Sequence, residues 1–467
     1  MKTRLLPQRD TNRFPLSLVP LILALLLMLA CGILEVGVEE RGTPASGVAA
    51  LAVENARLAT QIAVWKTGNE RLATQVAALA TENAHQATQV AALATENARQ
   101  ATQVAALARE SARQATQVAI LAPSIAADTG QWSSAGSMTM PRSWHTATLL
   151  RDGRVLLVGG FIEKDSAEIY DPTTNTFSPT GSLNTGRHEH SAALLPDGRV
   201  LVVGGYNSGY LSSAEIYDPA TGQWTPSQPL FNHGILNALT VLSDGRVLVT
   251  GGNSTHTPST DVEIFDPATD TWREAAPLSI GRNGHEAILL NDGRVLVVGG
   301  HGGVQVLVAE IYNPVTDSWT PTGPMNAKSH LLAAALLPDG RVLAAGGVNS
   351  ADGEVVYTIA EIYDPATGEW NLTAPLIPAR CRPAAVVLPD GRVLVTGGAP
   401  RCETGLPFNN VEAYDYQSGT WSTLPPLHVP RVAHTATLLP DGRVFVAGGN
   451  DGNTFVASTE ILELGGR

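Results

Sequence analysis

The sequence predicts an all-β, seven-bladed β-propeller preceded by a long α-helical coiled-coil stalk and an N-terminal membrane segment. Three observations predict it. After residue 131, one pattern ending in a Gly-Gly pair recurs seven times. From Leu51 to Leu121, apolar and Asn/Gln positions keep an unbroken 4-3 spacing. Near the start, a basic flank precedes a long apolar run. Together they divide the 467 residues into a targeting segment (1–34), a stalk (45–122), a linker (123–130) and a repeat region (131–467).

Lys2, Arg4, Arg9 and Arg13 precede LSLVPLILALLLMLA at 16–30, the order of a signal peptide or signal anchor with its basic side in the cytoplasm. The run ends in Met28-Leu29-Ala30-Cys31-Gly32, which resembles a bacterial lipoprotein box with Cys31 as the lipidated residue. Without cleavage, the apolar stretch extends through Leu34, near the roughly 20 residues that span a bilayer. Both readings tether the remainder on the extracytoplasmic side of a cell membrane, at the cell surface or in the periplasm. The net charge of −13 argues against nucleic acid as a partner, because phosphate binding needs clustered Lys and Arg.

In the stalk, one seam runs Leu51, Asn55, Leu58, Ile62, Trp65, Asn69, Leu72, Val76, Leu79, Asn83 and onward to Leu121. A heptad pattern sustained this long predicts a left-handed coiled coil, hence a homo-oligomer, with the seam Asn residues fixing register. A parallel stripe of alanines widens the contact face. The alternative is a single helix supported by alanine propensity. Pro123 ends the helix.

Each repeat, about 47 residues long, contains four strand-like parts. An alternating run such as HTATLL (145–150) leads through an Asp-Gly turn into RVLLVGG (154–160). After a variable loop comes AEIYDP (167–172), and a turn such as ATGQW (220–224) opens the fourth strand. The third strand carries Tyr170, Tyr217, Phe265, Tyr312, Tyr363 and Tyr414, and the fourth Phe177, Trp224, Trp272, Trp319, Trp370 and Trp421. The seventh copy has Leu462 in place of the first aromatic and ends before the second, whereas the region begins with a lone fourth-strand motif, TGQW (129–132). Trp132 is therefore expected to complete the last blade and close the ring, leaving no open edge.

A Gly pair followed by Tyr and Trp at fixed offsets in a four-strand unit resembles the kelch repeat. The DGRV…GG form is similar to the bacterial, galactose-oxidase-like branch of that superfamily. The resemblance covers about Gln131 to Leu464 and implies the fold; one fold hosts many functions. It also implies two enzymatic possibilities, a copper radical oxidase with a Tyr–Cys crosslink and a sialic-acid epimerase working through Arg and carboxylates. The chain lacks the accessory domains of the oxidases, and no cofactor is expected.

Two charged positions recur in every copy, the Arg after the turn (Arg154 to Arg443) and the Glu before the aromatic (Glu168 to Glu460). A catalytic group is needed once, so both are read as structural. The candidate site is an R-x-x-H motif at the start of the inner strands: Arg142/His145, Arg187/His190, Arg282/His285 and Arg431/His434. On the face with the variable loops, these eight residues are expected to line the channel mouth and bind a protein or glycan ligand. Three readings stay open: structural bonding to the adjacent blade, ligand contacts by the arginines, and a metal held by His145, His190 and His434. Cys381 and Cys402 belong to the same blade and are expected to pair as a disulfide. No G-x-S-x-G, H-E-x-x-H or phosphate-binding glycine loop is present. Binding is therefore the expected role, with a tethered carbohydrate-active enzyme as the alternative.

Overall fold

The computed structural model describes residues 130–465, apart from 230–233, 254–256, 303–305, 350–354 and 403–404, together with most residues between 52 and 89. The chain divides into two compact units, 1–123 and 124–467. In the first, the described residues between 52 and 89 are α-helical. Threonine hydroxyls at 60, 67, 74, 81 and 88 each donate to the carbonyl four residues back, so one polar stripe keeps the seven-residue period. The seam residues Leu58, Ile62 and Leu79 are 45–63% exposed. These residues cover part of the expected stalk, whose other residues, like Cys31 and the 1–34 segment, lie outside the described residues. No described helix is long and apolar enough to cross a membrane.

In the second unit, seven four-stranded antiparallel sheets form the blades. Blade 1 comprises Thr146–Leu149, Val155–Val158, Ala167–Asp171 and Thr176–Pro179. Blades 2 to 6 repeat that order, with inner strands beginning at Ser191, Ala238, Asn283, Ala333 and Ala384. Blade 7 takes Thr435–Leu438, Val444–Ala447 and Ser458–Glu463 from the tail and Gln131–Ser137 from the front. Trp132 pairs with Leu462 and Gln131 with Glu463. The Trp132 indole donates to the Pro425 carbonyl of the preceding blade (2.8 Å), as Trp224 does to Gly181 and Trp421 to Ala374. The early tryptophan is thus a fourth-strand residue in both pairing and hydrogen bonding.

The second strands explain the repeated V-L-V-V runs. Both faces of these strands are covered by neighbouring blades, so every residue is buried instead of alternating. The cores lie between blades, and the one across the closure stacks Tyr170 on Phe445 at 4.2 Å and 7°. The glycine pairs dock blade onto blade. The second glycine's N–H donates to a carbonyl at the start of the next inner strand at all seven junctions, from Gly160 to Arg187 (3.0 Å) through Gly449 to Arg142 (2.7 Å). The first glycine of each pair has positive φ, and a Cβ there would collide with the approaching backbone, so only glycine fits.

Candidate functional site

The R-x-x-H residues do not line the mouth, a correction to the sequence-based expectation. Arg142, Arg187, Arg282 and Arg431 are 0–1% exposed, and His145, His190, His285 and His434 are 4–7% exposed. Each arginine turns back into its own blade. Arg142 Nη2 bonds Glu168 at 2.9 Å, and Nη1 donates to the Gly159 carbonyl at 2.7 Å. The same grip joins Arg187 to Glu215, Arg282 to Glu310 and Arg431 to Glu460. Arg380 and Glu412 form a fifth pair. Five of the seven recurring glutamates are therefore the partners of these arginines. A buried ion needs a paired, hydrogen-bonded counterion, which the fold supplies within each of those five blades.

The histidines, unlike the arginines, bond the preceding blade. Nε2 of His145 meets Thr435 Oγ1 at 3.2 Å, and Nε2 of His190 meets Thr146 Oγ1 at 2.9 Å. His434 and His285 meet Thr396 and Thr250, each at 2.8 Å. Burial, followed by the charges of Arg142 and Arg431, pushes His145 down to about 3; burial with Arg431 and His145 does the same for His434. Among the described residues, no group of three His, Cys, Asp or Glu side chains is placed to hold a metal ion. Every turn arginine pairs with the aspartate two residues before it, as Arg154 does with Asp152.

The mouth is built instead by the residue just before each histidine position. These residues are Trp144, Glu189, Leu236, Gly284, Leu331, Arg382 and Ala433, and all seven have φ between 49° and 61°: 54°, 51°, 56°, 60°, 55°, 50° and 53°. A left-handed tryptophan, glutamate or arginine is strained backbone, retained only where the surroundings enforce it. The enforcing element is a girdle of backbone hydrogen bonds around the channel. Trp144 N donates to Ala433 O (3.2 Å), Glu189 to Trp144 (2.9 Å), Gly284 to Leu236 (2.9 Å), Leu331 to Gly284 (2.9 Å) and Arg382 to Leu331 (3.0 Å). The fold fixes the backbone of these positions and leaves their side chains free to differ. The signal was present in the sequence as one of the two varying positions inside the R-x-x-H motif.

Four of these residues, Trp144, Glu189, Arg382 and Ala433, line a cavity of about 510 Å³. Arg382, from blade 6, crosses to Glu189 of blade 2 at 3.2 Å, and its guanidinium lies 5.9 Å from the Trp144 ring centroid. Phe161, His188, Leu406 and Pro407 complete much of the wall. Trp144 Nε1, His188 Nδ1 and Arg382 Nε are buried without a partner among the described residues. Burial lowers His188, so its ring is neutral near pH 7. Cys402 also lines the cavity and is disulfide-bonded to Cys381, the neighbour of Arg382, with Cα atoms 5.7 Å apart. The bond ties the wall loop of blade 6 to the strand start that carries Arg382. Replacing Cys402 with Ser is expected to cost about 3 kcal/mol and to expose the 400–409 loop to proteases while the propeller stays folded. Thermal unfolding and limited proteolysis, each with and without reductant, check this.

Two family models match the chain. One, described as the KLHDC2/KLHL20/DRC7 Kelch-repeats domain, covers residues 173–333, and the other, the Kelch motif, covers residues 380–428. Both fall on blades whose Gly pair, third-strand aromatic and fourth-strand tryptophan stand in register. This is a kelch-repeat propeller. No curated protein matches its sequence. Among solved structures, the kelch propeller is similar to a fungal alcohol oxidase of the AA5 family determined in complex with copper. The two superpose with a TM-score of 0.61 and 20% identity, over 72% of this chain and 76% of the other. That likeness is one of fold. Copper chemistry of the Tyr–Cys type does not fit the residues here: the two propeller cysteines are spent on each other, and the buried imidazoles bond threonines.

Proposed function

We propose that this kelch propeller is a binding module, held at a membrane by its N-terminal segment and multiplied by its stalk, that displays the channel mouth to a protein or glycan ligand. One observation carries the reading: a repeated frame holds seven equivalent backbone positions whose occupants vary, leucine recurring only at Leu236 and Leu331, and three that carry large or charged side chains, Trp144, Glu189 and Arg382, converge on one cavity beside Ala433. Variable side chains on a rigid frame are a means of specificity, and chemistry needs no part in it. The enzymatic alternative relied on Arg142, Arg187 and Arg431 reaching the mouth, and all three are committed to buried glutamates. The exposed seam of Leu58, Ile62 and Leu79 supports a stalk that associates, and linked heads raise the effective concentration of weak sites.

The test is a binding profile of the intact chain over immobilised glycans and candidate surface proteins, repeated with Trp144→Ala. Binding that the substitution weakens, without turnover of the ligand, is the expected result. Turnover of a bound sugar, or ligands insensitive to Trp144, would remove the reading. Sedimentation of residues 45–125 as a monomer at all concentrations would remove the multivalent part alone.

A further inference from the structure

We infer that the ligand of this mouth is a neutral oligosaccharide lying across blades 7, 1 and 2 on a continuous band of aromatic rings; the inference rests on the binding-module reading above. The band is visible in the ring geometry. Phe455 of blade 7 lies 5.3 Å from Phe161 of blade 1, which lies 5.4 Å from Trp144 and 5.1 Å from His188 of blade 2. His188 lies 5.6 Å from Tyr206, which lies 5.6 Å from Tyr210. Six rings from three blades thus lie side by side: Phe161, Trp144 and His188 line the cavity, and Phe455, Tyr206 and Tyr210 extend the band beyond it. Phe161 is 43% exposed, Trp144, Tyr206, Tyr210 and Phe455 are partly so, and His188 between them is buried.

These rings do little for the core, because the blade-to-blade cores are made by other residues. An aromatic face is electron-rich and attracts the weakly positive C–H face of a pyranose, so successive rings suit successive sugars. Polar groups stand beside the rings, as sugar hydroxyls require. The Arg382–Glu189 pair offers both donors and an acceptor, and the partnerless Trp144 Nε1, His188 Nδ1 and Arg382 Nε are three more potential donors at the cavity. The pair is neutral overall and supplies the charged groups among the described residues that line the cavity, while Lys164 stands at the edge of the band, where its amine donates to Asn207 Oδ1 at 3.4 Å. An extended peptide is the less suitable occupant. Peptides that add to sheets need free main-chain groups, whereas here the girdle spends them on each other and His188 exchanges main-chain bonds with Tyr206.

The test titrates the intact chain with neutral mono-, di-, tetra- and hexasaccharides of β-1,4-linked glucose, xylose, mannose and N-acetylglucosamine by calorimetry. In at least one series, affinity is expected to rise tenfold or more from disaccharide to hexasaccharide. Phe161→Ala and Tyr210→Ala should each weaken the hexasaccharide at least about fivefold, as loss of a stacked aromatic anchor does. Both variants should unfold at the parent temperature. Binding without length dependence, or indifferent to Phe161 and Tyr210, overturns the band. If no saccharide binds but a protein does, and Trp144→Ala abolishes that binding, the oligosaccharide is overturned and the binding module stands. If neither class binds at the mouth, both readings fail.

Discussion

The propeller should lose stability steeply between pH 6.5 and pH 4.5. His145 and His434 are buried neutral, with folded-state values near 3 against 6.5 in the unfolded chain, and His190 lies well below its ordinary value because of burial and Arg187. In this window the unfolded state takes up protons that the native state refuses, so stability is complete above pH 6.5 and falls as pH drops. Fully realised, His145 and His434 together correspond to a loss on the order of 5–10 kcal/mol, comparable with the whole stability of a domain. One group opposes this slope. Glu286, on the inner strand of blade 4, is pushed up to about 7 by burial, so its contribution falls as pH rises from about 4.5 to 7. It occupies the register position of Thr146 and Thr435, whose hydroxyls meet histidines, but the following blade carries Leu332 where those have His. Urea unfolding at pH 7.5, 6, 5 and 4.5 reads the slope. His434→Gln should flatten it, and Glu286→Gln should steepen it. A midpoint unchanged from pH 7.5 to 4.5 would mean that the imidazoles are not buried as described.

Arg187→Ala should destabilise the propeller by about 3–5 kcal/mol, because it leaves Glu215 charged and buried. The guanidinium makes bonds to Gly204 O (2.7 Å), Ser213 O (2.9 Å) and Glu215 Oε1 (2.9 Å), which the methyl group of alanine cannot replace. Removing both charges, with Arg187→Met and Glu215→Leu together, should recover much of the loss. Arg199→Ala on the opposite face should cost under about 1 kcal/mol, since its partner Asp197 is exposed and screened. Blade 5 shows how the fold manages without the arginine. Ser329 takes the position and donates to the Gly346 carbonyl at 2.6 Å, and Glu361 is satisfied by the N–H groups of Asn326 and Ala327. Denaturant midpoints of the three variants, set against the parent, check the set. Equal small losses at Arg187 and Arg199 would contradict the structural role of the buried arginine.

The fold was legible in the sequence because each of its devices is repeated. Glycine pairs, V-L-V-V strands and aromatic pairs return seven times or nearly so, and the orphan Trp132 told where the ring closes. The recurring Glu was rightly read as structural, but its partner was not found: Arg142 and Glu168 lie 26 residues apart and meet only when the blade folds. The same repetition misdirected the search for the site. Arg and His bear functional chemistry, so R-x-x-H drew attention, although a motif used in four blades is better explained by the frame. Trp144 and Glu189 sit inside that motif and Arg382 at the equivalent position of blade 6, and the left-handed backbone that all seven such positions share cannot be read from residue identity. Nor can sequence place Arg382 and Glu189, 193 residues apart, across one channel.

The mouth is tested most directly by Glu189→Leu combined with Arg382→Leu. Leucine already occupies the left-handed position at Leu236 and Leu331, so the girdle tolerates it, and the double variant removes both charged heads while leaving every buried Arg–Glu pair intact. The expected result is a protein that unfolds within a few degrees of its parent and no longer binds the glycans or proteins its parent retains. A double variant that keeps the parent's binding profile would show that the ligand is held elsewhere on the propeller.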